Sequence, residues 1–325
     1  MMESLIPSLA SGGINANVWV IALAGAISFG VPLTLAALGE ILAERSGVLN
    51  LGVEGMMLVG AVTAFLVADA THSPWLSILG AIAAGGALAA VHAFLCISLR
   101  ANQIVSGLAL VIFGSGLAQF IGQPVEGKPR GAQIVPFDFP GLSHLPFFGR
   151  VFFRQDVLVY ATVAITAVVA WYLRRTRAGL ALRAVGESPA TADAAGISVA
   201  RIRYVHVILG GCFAGAAGSY LMLVRVPSWN GTGTTDGIGW IALALVVFAS
   251  WRPWRALAGA VIFGYALRSN FTLQAAGVTS IPAEILSMLP YVLTVVVLIA
   301  LAPSAIRRRG GAPSSLGVPY VRDER

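Results

Sequence analysis

The sequence predicts an all-α polytopic integral membrane protein with eight or nine transmembrane helices, and three observations carry that reading. The 325 residues are 57% hydrophobic and only 11% charged, with a mean hydropathy of +0.83. A water-facing domain needs about 25% charged residues to cover its surface. The apolar residues also fall in runs that reach the roughly 17–25 residues a spanning helix requires. Finally, the polar residues are confined between those runs, in a glycine-broken stretch at 39–60 and in longer loops at 122–155 and 174–203.

Taken in order, the apolar runs lie at 17–39, 48–68, 75–98, 103–121, 156–173, 204–224 and 285–303. Residues 237–268 hold two shorter runs split by Trp251-Arg252-Pro253-Trp254-Arg255, either two tilted short spans or a hairpin; nine spans is the preferred count. With the N-terminus outside, 15 of the 21 Lys and Arg residues fall on the inside. Cytoplasmic loops carry that excess, so the N-terminus is expected outside and the C-terminus in the cytoplasm. The chain then divides into an extracytoplasmic segment 1–16, a membrane domain 17–303, and a basic tail 304–325. That tail is rich in Gly, Pro and Ser and is expected to be disordered. Residues 1–16 lack the basic start and small-residue cleavage site of a signal peptide.

Several functions are excluded. A net charge of +7 might suggest nucleic acid, but the basic residues, 20 Arg and the single Lys128, are scattered over short loops, as membrane topology requires. Cys96 and Cys212 both sit inside apolar runs and imply neither a disulfide nor a metal site. His72, His92, His144 and His206 are dispersed, with no catalytic or metal-ligand spacing. Lys128 is followed by Pro129, so there is no phosphate-cradling G-x-x-x-x-G-K-[ST] loop. Uphill movement of a solute would draw on another subunit or on an ion gradient.

The stretch 39–60 concentrates Glu40, Glu44, Arg45, Ser46, Asn50 and Glu54, with glycines at 47, 52, 55 and 60. A charge facing lipid at a helix centre costs ~2.5–3.5 kcal/mol, so these groups should meet protein or water. Glycine-broken helices are tolerated in membranes where protein or a water-filled cavity re-satisfies the backbone, a pattern of transport proteins. Continued as a helix, the stretch would carry Glu54 ~15 Å beyond Glu44. Its carboxylate would line a pathway or hold the break by accepting backbone N–H bonds; the holding role is preferred.

Two loops are informative. Residues 122–155 hold five prolines and six phenylalanines, which suits either a docking surface for an external partner or a loop packed on the membrane surface. Within 174–203, Ser188 is placed to cap a helix, Pro189 to start it, and Gly196 to end it in the left-handed conformation. A helix that short does not hold alone in water, so something must pack on it. The span 204–224 presents Gly211, Ala214, Gly215, Ala217 and Gly218 for close helix contact.

Glu44-Arg45-Ser46-Gly47-Val48-Leu49-Asn50-Leu51-Gly52-Val53-Glu54-Gly55 resembles the signature of permease subunits of bacterial ABC importers for nucleosides and simple sugars. It is more distantly similar to ribose and branched-chain amino-acid permeases. Gly186-Glu187-Ser188-Pro189-Ala190-Thr191-Ala192-Asp193-Ala194-Ala195-Gly196-Ile197 resembles that family's coupling segment, which sits in a groove of the ATPase. Asn102 to Ala109 and Gly239 to Trp254 extend the likeness to roughly residues 20–302, with Trp240 where the family has Phe. The resemblance implies a pathway between two permease subunits, the second a non-identical paralogue. It also implies a separate ABC ATPase that carries the ATP and Mg, an extracytoplasmic solute-binding protein, and placement in the bacterial inner membrane. Nucleosides lead as solute, then simple sugars, then branched-chain amino acids. An ion-coupled secondary transporter would show a second copy of 39–60, and none is found.

Overall fold

The computed structural model describes residues 16–145, 147–275 and 311–322, and between them residues 282, 285, 288–296 and 299. Among the described residues the regular structure is helical. The helices are α1 (Ala16–Arg45), α2 (Val53–Thr71), α3 (Pro74–Ala93), α4 (Gln103–Gly122), α5 (Phe148–Phe152), α6 (Val157–Arg175), α7 (Arg177–Glu187), α8 (Pro189–Ala194), α9 (Val199–Tyr220), α10 (Ile238–Ala249) and α11 (Pro253–Ala275). Single π-turns prolong α3 to Ser98 and α9 to Arg225. Six helices are long and apolar enough to cross a membrane, those beginning at Val20, Val53, Pro74, Gln103, Val157 and Val199, and Ile238–Ala249 is a shorter apolar helix. The run at 285–303 lies partly outside the described residues; 289–296 within it are helical.

The bundle is organised around α9. Its glycines let neighbouring backbones approach to contact: Gly211 and Gly215 lie on Gly85 and Ala81 of α3, Gly215 on Gly60 of α2, Gly218 on Met57, and Gly210 on Gly39 of α1. Small residues at such crossings replace the missing hydrophobic drive between helices in lipid with close van der Waals packing. Gly39 and Gly60 are therefore helical contact points and do not break their helices. The interior is apolar and continuous, with Leu38, Met57, Phe65, Tyr220 and Leu245 fully buried.

Within the stretch 39–60 the helix is interrupted at residues 46–52. α1 stops at Arg45, residues 46–52 run as turns and extended chain, and α2 begins at Val53. The expectation that needs correction is the tail, which is not disordered over 311–322: these residues pack against α7, α8 and α9, because their amides and hydroxyls find carbonyl partners there. An additional helix, α7, precedes the expected one. Thr176 caps it by accepting from the Gly179 amide at 3.0 Å, and Leu182, Val185 and Gly186 form its buried face.

Candidate functional site

Residues 46–52 leave α1 through a Schellman ending. Gly47 takes φ +88°, its amide donates to the Glu44 carbonyl at 2.8 Å, and the Val48 amide donates to the Ala43 carbonyl at 3.4 Å. Positive φ is the conformation only glycine adopts freely, which is why the helix stops here. The Ser46 hydroxyl closes the same turn on the Ala43 carbonyl at 2.6 Å. Beyond it the chain threads between α3 and α4. The Leu49 amide donates to Gln103 Oε1 at 2.7 Å, and His92 bridges the Leu49 carbonyl and the Ser106 hydroxyl at 3.1 and 3.0 Å. Asn50 turns the segment: its Nδ2 donates to Glu40 Oε1 at 2.9 Å and its Oδ1 accepts from the Gly52 amide at 3.0 Å. The backbone groups of Ser46, Gly47, Val48, Leu49 and Gly52 that a broken helix would strand in lipid thus meet protein here. Gly52 and Gly55 allow this path, lying directly on Gly107, Leu110 and Val111 of α4.

The three glutamates have separate partners. Glu54, buried in the first turn of α2, accepts from the Thr235 hydroxyl at 2.6 Å and from the amides of Gly237 at 3.1 Å and Gly239 at 2.7 Å. Those amides open α10, so the carboxylate sits at a helix N-terminus, where unsatisfied N–H groups and the helix dipole favour an anion. Gly55 lies against Leu110, seven residues into α4 from Gln103, or ~10 Å along its axis. Glu54 is therefore well inside the bundle, and α10 begins there rather than at the surface. Glu44 accepts from the Trp251 indole N–H, tying the end of α1 to the α10–α11 turn. Arg45 reaches the Trp251 carbonyl at 3.5 Å.

At the same end lies the loop between α6 and α9. Ser188 caps α8 by accepting from the Thr191 amide at 3.4 Å, and Pro189 is its first residue. Gly196, at φ +82°, donates to the Asp193 carbonyl at 2.9 Å while Ile197 donates to Ala192 at 3.0 Å, a complete Schellman ending. The helix runs six residues, Pro189–Ala194. What packs on it is Val185, Val199, Ile197 and Tyr320 around Ala192.

The tail straps this loop to the α1–α2 connection. Ser314 Oγ donates to Glu187 at 2.8 Å, Ser315 Oγ donates to the Gly186 carbonyl at 2.7 Å, and the Gly317 amide donates to the Gly47 carbonyl at 3.3 Å. Arg322 pairs with Asp193 at 3.2 Å on the exposed face. Beneath the strap, Arg203 is 2% exposed and donates to the Ser46 carbonyl at 3.1 Å, the Val318 carbonyl at 3.3 Å and Ser315 Oγ at 3.4 Å. Arg203→Ala should cost about 1–3 kcal/mol, the penalty for leaving buried acceptors unmet. Thermal unfolding in detergent measures it, and an unchanged midpoint would mean that the strap carries no stability.

The residues singled out in the sequence thus form two clusters, 40–55 and 186–196, joined through Gly47, Gly186, Ser315 and Arg203. Sequence reading missed Trp251, Thr235, His92, Gln103 and Arg203 as members. Of these, Trp251 in the Trp-Arg-Pro-Trp turn and Gln103 in the segment Asn102 to Ala109 carried a local signal.

A bundle of long apolar helices with buried carboxylates is the architecture of a multi-pass membrane protein. Residues 22–298 match the family described as branched-chain amino acid transport system / permease component, and the chain belongs to that family. It is 44% identical over 336 residues to TsgC13 of Haloferax volcanii, provisionally named a glucose ABC transporter permease protein; the match covers 97% of this chain and 99% of that one. It is 38% identical to the guanosine ABC transporter permease protein NupQ of Bacillus subtilis, covering 91% and 95%. It is 34% identical to the nucleoside ABC transporter permease protein NupC of Lactococcus lactis, covering 95% and 99%. A second, more distant match comes from each of Haloferax volcanii and Bacillus subtilis: TsgB13, named a glucose ABC transporter permease protein, and NupP, named a guanosine ABC transporter permease protein. The chain is a multi-pass permease subunit of an ABC transporter, a transport component and not an enzyme.

Proposed function

We propose that this subunit lines half of the translocation pathway of an ATP-driven importer for nucleosides or simple sugars. The observation that carries the reading is α8, a fully capped helix at the arginine-rich end of the bundle. Its face carrying Ala190, Thr191 and Ala194 is exposed while Ala192 is held from below. Helix-in-groove docking needs such a rigid, presented element, and the partner it fits is a separate ABC ATPase. That ATPase binds the ATP and Mg, since this chain has no phosphate-cradling loop.

The remaining parts follow from this arrangement. A second, non-identical permease completes the pathway, a reading supported by the paired relatives. An extracytoplasmic binding protein delivers the solute. The arginine-rich end is cytoplasmic and the membrane is the bacterial inner membrane, with nine spans once α10, α11 and the helix around 289–296 are counted. The solute class rests on relatives named for guanosine, nucleosides and glucose; the family description favours branched-chain amino acids as the second reading. Glu54 holds the start of α10 in place. Closure of the ATPase pulls on α8, and the strap through Gly47 passes that movement to the α1–α2 connection beside Glu54.

Co-purification with the candidate ATPase tests the dock. Glu187→Arg combined with Gly196→Pro removes the Ser314 contact and forbids the left-handed ending. The double variant should lose the ATPase while the membrane protein keeps its elution position. Retention of the ATPase by a folded double variant would refute the dock.

A further inference from the structure

The exposed face of α4 changes character along its length. Gln103, at its start, is tied to the α1–α2 connection, and from there to Phe113 the large exposed side chains are apolar: Ile104, Val105, Leu108, Ile112 and Phe113. At the far end, away from α8 and the arginines, the face becomes polar. Gly116, Gln119 and Gln123 succeed one another there at helical spacing, the last in a 3-10 turn that prolongs α4 to Val125. With Glu126, Asn230 and Thr232 they line a cavity of about 530 Å³. Polar side chains inside a membrane span are expensive unless they face protein or a water-filled cavity. Among the described residues the side chains of Gln119, Gln123 and Glu126 form no hydrogen bond or ion pair, so their partners are water or a ligand.

The second wall is held in place by backbone. Beyond α4 the Gly127 amide donates to the Trp229 carbonyl and the Arg130 amide to the Pro227 carbonyl, each at 3.0 Å. Trp229, 1% exposed, lies on Gly122, where an added Cβ would strike the indole. The same loop runs on to Thr235 and Gly237, two of the donors held by Glu54. Phe120, also in the lining, leaves its ring 77% exposed.

The amides of Gln119, Gln123 and Asn230 each offer one acceptor oxygen and two donors, and the Glu126 carboxylate can accept from two adjacent hydroxyls. No Lys, Arg or His lines the cavity, so a solute carboxylate or phosphate would find no counter-charge. An open aromatic face takes the flat side of a base or a sugar ring. We propose that this cavity is a solute subsite on the pathway, for an uncharged ring with adjacent hydroxyls: a simple sugar, or the ribose of a nucleoside. Glu126 takes the hydroxyl pair, and the amides take the remaining polar groups. A branched-chain amino acid, with charged ends and an aliphatic side chain, does not match this lining. The solute class rests on the importer reading above, whereas the place of the site rests on the cavity alone.

Gly116→Cys puts a thiol in the cavity and leaves the amides and Glu126 intact, because an added Cβ there meets nothing within 4 Å. The assembled transporter, with Cys96→Ala and Cys212→Ala, is placed in nanodiscs and labelled with a charged methanethiosulfonate reagent. Labelling should be rapid, and excess uridine or glucose should slow it about ten-fold, while leucine and 2′,3′-dideoxyuridine change nothing. Protection by uridine alone assigns the subsite to nucleosides, and by glucose alone to sugars. Glu126→Ala should abolish protection and leave labelling rapid. A thiol that does not label, protection by neither solute, or equal protection by leucine or dideoxyuridine would each overturn the subsite. If Gly116→Cys does not assemble, Thr232→Cys on the opposite wall carries the same test. ATP-driven uptake by wild-type proteoliposomes, measured alongside, separates the two readings. Uptake without protection refutes the subsite alone, and protection without uptake refutes the importer alone.

Discussion

Glu54→Ala is expected to be among the most damaging single substitutions in this protein. The carboxylate accepts three bonds, from the Thr235 hydroxyl and the Gly237 and Gly239 amides. These donors lie where α10 begins, with Thr235 and Gly239 buried and Gly237 half-buried. A buried donor left unmet costs about 1–3 kcal/mol. Three of them, partly rescued by rearrangement of the 230–237 loop, should therefore cost on the order of 4 kcal/mol. Gln at the same position keeps one acceptor oxygen but faces its NH2 group toward donors, so it should recover only part of the loss. Thermal unfolding of the purified protein in detergent should order the three as wild type, Gln, Ala. Equal midpoints for Glu and Ala would mean that this carboxylate does not hold α10.

The second large effect is at the glycine crossing. Gly215 lies on the backbone of α3 at Ala81 and Gly85, with Gly60 of α2 against its other side. Overpacking a core by a few methylenes costs about 1–3 kcal/mol when neighbours can shift. Here the obstacle is main chain of two helices, which cannot rotate away. Gly215→Leu should force α9 from both and leave no monodisperse protein after extraction. Gly116, with nothing within 4 Å of an added Cβ, is the matched control on α4. Gly116→Leu should extract at wild-type yield. Comparable yields for the two variants would contradict the packing described for α9.

Much of this was legible in the sequence, and the reason differs from one element to the next. The ends of α8 were readable because Ser188, Pro189 and Gly196 satisfy their own backbone within a few residues. The long spans were readable because lipid imposes length and composition on each one independently. Residues 39–60 were marked as a glycine-broken stretch, but which glycine does what was not legible. Gly60 is a contact point on α9 and Gly52 and Gly55 are contacts on α4, while Gly47 ends α1. The partners of the glutamates were invisible: Thr235 is 181 residues from Glu54 and Trp251 is 207 from Glu44, and no local pattern couples them. Residues 311–322 failed for the complementary reason. Their composition is that of a disordered tail, and they are ordered by Gly186, Gly47 and Arg203, which belong to other parts of the chain.

The central claim is that ATP hydrolysis by a partner moves this pathway through α8. The most direct measurement is solute-stimulated ATP hydrolysis by the assembled transporter in proteoliposomes, comparing wild type with Gly196→Pro. The account predicts several-fold stimulation by solute-loaded binding protein in wild type, and loss of stimulation in a variant whose two permeases still assemble. Full stimulation with α8 disrupted, or solute uptake by the permeases alone under an ion gradient, would contradict it.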